Sequence, residues 1–227
     1  MAEYQLLRVF CNESGDGGNP LAVFLDGAQV PPERRQAVAA ELGLSETVFV
    51  DDSARGELRI FTPAVEMPFA GHPTVGAAWL LRERGHEPRS LQVPAGELPV
   101  RYDGDAAFVA GRPEWAPDFQ LAQLADAAEV EALNGPPGGH DLVDAWAWID
   151  EDAGTVRSRV FPPRLGIDED EATGAAAVRL CAALGRPIDI RQGRGSRILA
   201  RPLEDRIEIG GTAVAVSTES LRDTPQR

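Results

Sequence analysis

Glu46 stands in the stretch "GLSETVFV" (43–50), where a helical pattern stops and an apolar strand pattern begins. A glutamate at such a seam ordinarily caps or solvates a strand end. A carboxyl desolvated in a closed cleft, by contrast, has a raised pKa. His72 lies in "FAGHPT", with Gly71 before it and Pro73 at a favourable first-turn position of a helix. The local field there lowers the ring pKa and favours a neutral imidazole. A third group is the acidic run Asp168, Glu169, Asp170 and Glu171 in "GIDEDEATG" (166–174), ahead of Thr173. Charge runs are usually solvated, and acids before a helix suit its dipole, so at most one or two of the four are functional.

Composition narrows the chemistry these groups can share. The 227 residues carry 36 acidic and 22 basic side chains, a net charge of −14, and all of the basic residues are arginine. Without lysine there is no internal Schiff base and no phosphate loop of the G-x-x-x-x-G-K-[ST] type. A surface this acidic repels phosphate backbones and anionic lipid, so nucleic acid is not an expected partner. His72, His86 and His140 are widely separated and Cys11 and Cys181 lack paired spacing, so neither a metal centre nor a cofactor is expected. The nucleophile elbow G-x-S-x-G is absent, and "GRGSRI" (193–198) lacks the third glycine of a dinucleotide fingerprint. What remains is chemistry done by carboxylates, imidazole, hydroxyls and backbone dipoles. The unpaired cysteines suit a reducing compartment, no basic leader precedes an apolar stretch, and no apolar run nears about 18 residues. A cytoplasmic chain without a membrane span is expected.

Positioning these groups falls to short alternating or apolar runs, among them "YQLLRVFC", "LAVFLD", "TVFVDD", "LRIFTP", "DAWAWID", "RSRVFPP", "RIEIGG" and "TAVAVST", which read as strands. "PPERRQAVAAELG" reads as a helix opened by proline and closed at Gly43. "HPTVGAAWLLRER" and "ATGAAAVRLCAALG" begin apolar or small on nearly every side, the pattern of buried helices. The chain looks duplicated: "RIFTP" (59–63) and "RVFPP" (159–163) each lead into a glycine-containing turn and then a small-residue helix. This predicts an α+β fold of two pseudo-symmetric lobes, each a curled, mostly antiparallel sheet wrapped around a central helix, with both helix N-termini meeting at one cleft. Facing helix starts make an anion site, so a small carboxylate is the expected ligand. "GRPEWAPDF" (111–119), with its two prolines, is the expected linker. It separates an N-terminal lobe over 1–112 from a C-terminal lobe over 113–205, with 206–227 able to return to the first.

Five segments in order, "GGNPLAVFLD", "LSETVFV", "RIFTPAVEMPFAGHPTVGAA", "RVFPPRLGIDEDEATGAAA" and "IGGTAVAV", together resemble the phenazine-biosynthesis isomerases and their PhzF-like relatives, nearly end to end. That family is similar in fold to diaminopimelate epimerase, in agreement with the duplication. The resemblance implies a homodimeric, cofactor-independent isomerase of secondary metabolism, shifting a proton within a small cyclic or unsaturated carboxylic or amino acid. It puts the proton-shuttling glutamate at Glu46 of "LSET", the motif histidine at His72 of "GHPT" and the second-lobe aspartate at Asp170 of "DEATG". His72 and Asp170 would orient the substrate and adjust its protonation. Ser45, Gly71, Thr173, Gly174 and Ala175 are the implied substrate-binding positions.

The departures are local. Where the family usually reads E-D-P-A-T-G-S, this chain reads "EDEATGA", so Glu171 stands for proline and Ala175 for a serine able to contact substrate. The second lobe is trimmed around "GRPIDIRQGRGSRI". Related racemases and epimerases place a cysteine at each helix start, and those positions are expected to hold Ala70 and Glu171, which excludes two-thiol racemisation. The alternatives are an epimerase-like enzyme without catalytic cysteines, or a non-catalytic member that binds a small acid.

Overall fold

The alternating runs become strands whose pairing repeats halfway along the chain. The computed structural model describes residues 2–221. Its first half runs β1 (Glu3–Cys11), β2 (Gly17–Phe24), α1 (Pro32–Leu42), β3 (Glu46–Asp52), β4 (Glu57–Phe61), β5 (Glu66–Met67), α2 (Gly71–Glu83), β6 (Ser90–Val93), β7 (Gly96–Asp103) and β8 (Ala106–Gly111). The second half runs β9 (Gln120–Gln123), α3 (Ala127–Glu131), β10 (Val143–Asp150), β11 (Thr155–Phe161), α4 (Gly174–Leu184), β12 (Ile188–Gln192), β13 (Ser196–Pro202) and β14 (Ile207–Ser220). β2 pairs parallel with β3, β3 antiparallel with β4, β4 parallel with β6, and β6 antiparallel with β7. The pairs β9–β10, β10–β11, β11–β12 and β12–β13 repeat those directions one for one. The fold is α+β and duplicated, as the spacing of "RIFTP" and "RVFPP" predicts.

The last strand ties the halves together. Its first residues, Ile207–Gly211, pair with β8 and in part with β13, while Thr212–Ser220 pairs with β1. The runs "RIEIGG" and "TAVAVST" are therefore one strand. Gly210 is required within it, because a Cβ there would lie 2.3 Å from the Phe108 ring. Through this pairing the path β1-β2-β3-β4-β6-β7-β8-β14 returns to β1, a closure that leaves the ring no open edge.

Both central helices are held inside their sheets by apolar packing. Val75, Ala77, Ala78, Leu80 and Leu81 of α2 are buried, as are Ala176, Ala177, Val178, Leu180 and Cys181 of α4. One apolar cluster contains residues of both helices and of strands from both halves. At roughly 1.5–3 kcal/mol for each fully buried Val or Leu, it is the largest favourable term fixing the helix starts in place. On the other face of β2 and β3, α1 lays Val38 and Ala39 against Phe24 and Phe49. Among the described residues no helix is long and apolar enough to cross a membrane.

Candidate active site

α2 and α4 begin against one another. A Cβ on Gly71 would lie 2.7 Å from Gly174 Cα, and one on Gly174 would lie 2.8 Å from Gly71 Cα. Glycine at both positions is what lets the two helices meet, and the unpaired N–H groups of both first turns come to one seam.

Glu46 opens β3, set opposite Leu21 by the parallel pairing with β2. Its side chain is 18% exposed, and Oε2 lies 3.5 Å from His72 Nε2. Both atoms are buried without a hydrogen-bond partner. Burial raises Glu46 from its ordinary 4.5 to about 7, opposed by the polar side chain of the neighbouring Ser45. His72, buried in the first turn of α2, is lowered to about 4. Burial is the main cause, against the Asp170 charge and the Pro20 carbonyl. The ring is thus neutral at pH 7, as its place at a helix start predicts, but through loss of water more than through the helix field. Asp170 is tied to Val160 by an isolated β-bridge. Its carboxyl is raised to about 6, upward by burial and the Glu46 charge, downward by His72, Thr173 and Asn19. Two carboxyls poised near neutrality therefore share a seam with an uncharged imidazole.

Two polar side chains not named among the sequence-predicted site residues complete the network, Asn19 within the segment "GGNPLAVFLD" and Gln192 outside the five segments. Asn19 Nδ2 donates to Asp170 Oδ1 at 2.7 Å and to the Ala172 carbonyl at 3.0 Å, and Ser45 Oγ donates to Asn19 Oδ1 at 3.3 Å. Gln192 Nε2 donates to the Asp170 carbonyl and to Thr173 Oγ1, each at 2.9 Å, while its Oε1 accepts from Thr173 N–H at 3.1 Å. Thr173 Oγ1 donates to Asp170 Oδ2 at 2.6 Å. Ala175, the second residue of α4, packs on the apolar cluster and offers no polar group. A signal for Gln192 does exist: in "IDIRQ" it occupies the inward phase of the strand after Ile188 and Ile190. A cavity of 320 Å³ lined by Arg101, Phe108, Leu199 and Glu208 shares no residue with this seam.

The structure corrects one sequence-based position. Ala70 directly precedes α2 and Thr173 directly precedes α4. Thr173, not Glu171, is therefore the counterpart of Ala70, because the helix start counts from the Gly71–Gly174 contact and not from the acidic run. Neither residue is cysteine, so the helix starts still lack a thiol pair.

Fold and site together define a two-lobed, epimerase-like scaffold with buried titratable groups beside the joined helix starts. The profile of the family described as phenazine biosynthesis-like protein matches residues 7–132, and the chain belongs to that family. The trans-2,3-dihydro-3-hydroxyanthranilate isomerase of Pseudomonas aeruginosa is 32% identical over 240 residues, 88% of this chain and 85% of that one. An uncharacterized isomerase of Pasteurella multocida is 48% identical over 99 residues, 41% of this chain and 34% of that one. This kinship places the chain among the PhzF-type isomerases. Two solved structures share the fold. A PhzF-family phenazine biosynthesis protein of Bacillus anthracis superposes with a TM-score of 0.80 at 21% identity, over 97% of this chain and 99% of that one. A hydroxyproline epimerase of Agrobacterium vitis with bound trans-4-OH-L-proline gives 0.62 at 15% identity, over 96% of this chain and 92% of that one.

Proposed function

We propose that this chain is a cofactor-independent isomerase in which Glu46 moves a proton between two carbons of a small cyclic or unsaturated carboxylic or amino acid. The observation that carries this is the pair Glu46 Oε2 and His72 Nε2, 3.5 Å apart, buried and otherwise unpartnered, beside the joined starts of α2 and α4. A buried polar atom left unpaired costs about 1–3 kcal/mol, which a ligand bonded there offsets. The substrate carboxylate is held toward the helix starts. Glu46, as carboxylate, takes the proton from one carbon, and the electron pair of that C–H bond moves into the conjugated system. The double bond shifts, and the second carbon receives the proton back from Glu46, so nothing is oxidised or reduced. A carboxyl near pKa 7 serves both directions at neutral pH. Neutral His72 and Asp170 orient the substrate and share protons with its polar groups.

The compound in the name of the Pseudomonas relative, trans-2,3-dihydro-3-hydroxyanthranilate, is cyclic, unsaturated and an amino acid, and is the first probe. In D₂O the wild type should place deuterium at one carbon of that compound. Glu46→Gln, nearly the same shape, should fold and bind yet lose ~10²–10⁴ of the exchange rate, because an amide cannot accept and return a proton. Exchange at the wild-type rate in Glu46→Gln, with loss in His72→Asn or Asp170→Asn, would move the shuttle to one of those residues. Binding without exchange in the wild type would point to a non-catalytic acid-binding member. A homodimer, and two lobes divided near residue 112 with the last strand returning to the first, belong to the same proposal. The pairing of β14 with β1 supports that return.

A further inference from the structure

A second contact joins the halves beside the seam, and the proposed proton transfer does not use it. The turn between β1 and β2 lies on the turn between β12 and β13: a Cβ on Gly17 would be 2.5 Å from the Gly195 carbonyl carbon, and Glu13 pairs with Arg191 and Arg197. Glu171 sits within this contact. Its carboxylate lies over Gly193, whose φ is +56°, where a Cβ would come within 2.3 Å of Oε2. Oε1 accepts from Arg194 N–H and from Ser196 Oγ, each at 2.8 Å, and Ser196 Oγ accepts from Gly18 N–H at 2.9 Å. Gly18 directly precedes Asn19, the residue that bonds Asp170. Adjacent residues of one half, Asp170 and Glu171, thus reach adjacent residues of the other, Asn19 and Gly18. The first link is direct, and the second runs through a hydroxyl whose one proton is committed to Glu171.

We infer that Glu171 is a positioning residue: acting through Ser196, it fixes the Gly18–Asn19 backbone and so holds the Asn19 amide on Asp170. This rests on the reading of Asp170 as an active-site group. A carboxylate that merely closed the turn at Gly193, by accepting from Arg194 N–H, would leave the Asn19–Asp170 hydrogen bond in place when removed, and only the loss of its charge would reach Asp170. The two roles differ in sign. The Asn19 hydrogen bond favours the ionised form of Asp170, so loosening it raises the Asp170 pKa. Deleting the negative charge of Glu171 next door acts the other way. The groups that face Asp170, namely Glu46 from β3, His72 from α2, Asn19 from β2, Thr173 and Gln192, are the same in every variant below.

The test is a carboxyl ¹³C titration of Asp170 in the full chain, its signal assigned with Asp170→Asn. Glu171→Ala and Ser196→Ala should each raise the Asp170 midpoint by about 0.5–1 pH unit, and the double variant should add little to either. Glu171→Gln keeps the acceptor oxygen and loses the charge, so its midpoint should stay at or below the wild-type value. On trans-2,3-dihydro-3-hydroxyanthranilate, both alanine variants should lower kcat ~10-fold with KM little changed. An unchanged or lowered midpoint in Glu171→Ala, or a rise there without one in Ser196→Ala, would overturn the relay. If Glu171→Ala does not fold, Ser196→Ala beside Glu171→Gln gives the same decision. The titration needs no substrate, so a wild type inert toward that compound counts against the isomerase proposal alone.

Discussion

The two halves of the molecule share a plan down to single residues and part company at the candidate site. Ile60 pairs with Met67 in the first half, and Val160 with Asp170 in the second. Arg59 pairs with Glu66, and Arg159 with Glu169. Gly71 and Gly174 begin the two helices, and Thr47 and Val143 face Phe61 and Phe161. On that alignment the three titratable residues of the site stand against apolar ones: Asp170 against Met67, His72 against Ala175, Glu46 against Leu142. Duplication supplied two helix starts and a seam between them. The three titratable groups of the candidate site are differences between the copies, and burial then drives acids and base in opposite directions, toward neutral forms of all three.

A fourth difference lies in the core of the second half. Asp144 takes the place of Val48 and Ser158 that of Leu58, with Ser158 Oγ donating to Asp144 Oδ1 at 2.6 Å. Both are almost fully buried, and burial pushes Asp144 from its ordinary 3.8 to about 7 against that hydrogen bond.

The largest expected effect tests this substitution. Because the folded pKa of Asp144 exceeds its unfolded value, its contribution to stability is fully present below about pH 3.8 and is lost as pH rises through about 7. Between pH 4.5 and 7.5 that loss is about 3 kcal/mol. Asp144→Asn carries no titrating group, so the fall in urea-unfolding free energy between those two pH values should be smaller than in the wild type by about that amount. An equal fall in both proteins would mean that the carboxyl is not desolvated as a true replacement for Val48. A smaller effect tests the helix contact. Gly71→Ala or Gly174→Ala puts a methyl into the backbone of the other helix and should cost about 1–3 kcal/mol, read as a lowered Tm, with deuterium exchange reduced further than stability alone explains. Full stability in either variant would show that the two starts can separate without penalty. The smallest effect concerns Thr47, whose buried Oγ1 has no partner where the second half has Val143. Thr47→Val should stabilise by about 1 kcal/mol, seen as a higher urea midpoint at unchanged slope. A destabilised Thr47→Val would reveal a bonded hydroxyl.

Residue types and their order were enough to show the duplication, the two small-residue helices and the motifs around Glu46, His72 and Asp170. Each depends on a local pattern: the repeat of "RIFTP" and "RVFPP", the run of Ala and Gly after each turn, and the apolar alternation of strands. The strands β6, β9 and β12 are only four or five residues long and carry two or three polar residues each, and pairing with neighbours decides what local propensity does not. β14 joins two runs into one strand for the same reason.

Only the tertiary structure brought Asn19 to Asp170, 151 residues away, and Gly18 to Ser196, 178 residues away. The side chain of an amide or a glutamate is the same in every sequence context, and its partner is set by where the halves meet. The protonation of the site has the same origin. Glu46, His72 and Asp170 carry ordinary pKa values in an open chain, and it is the water removed when two helix starts close on one seam that moves them.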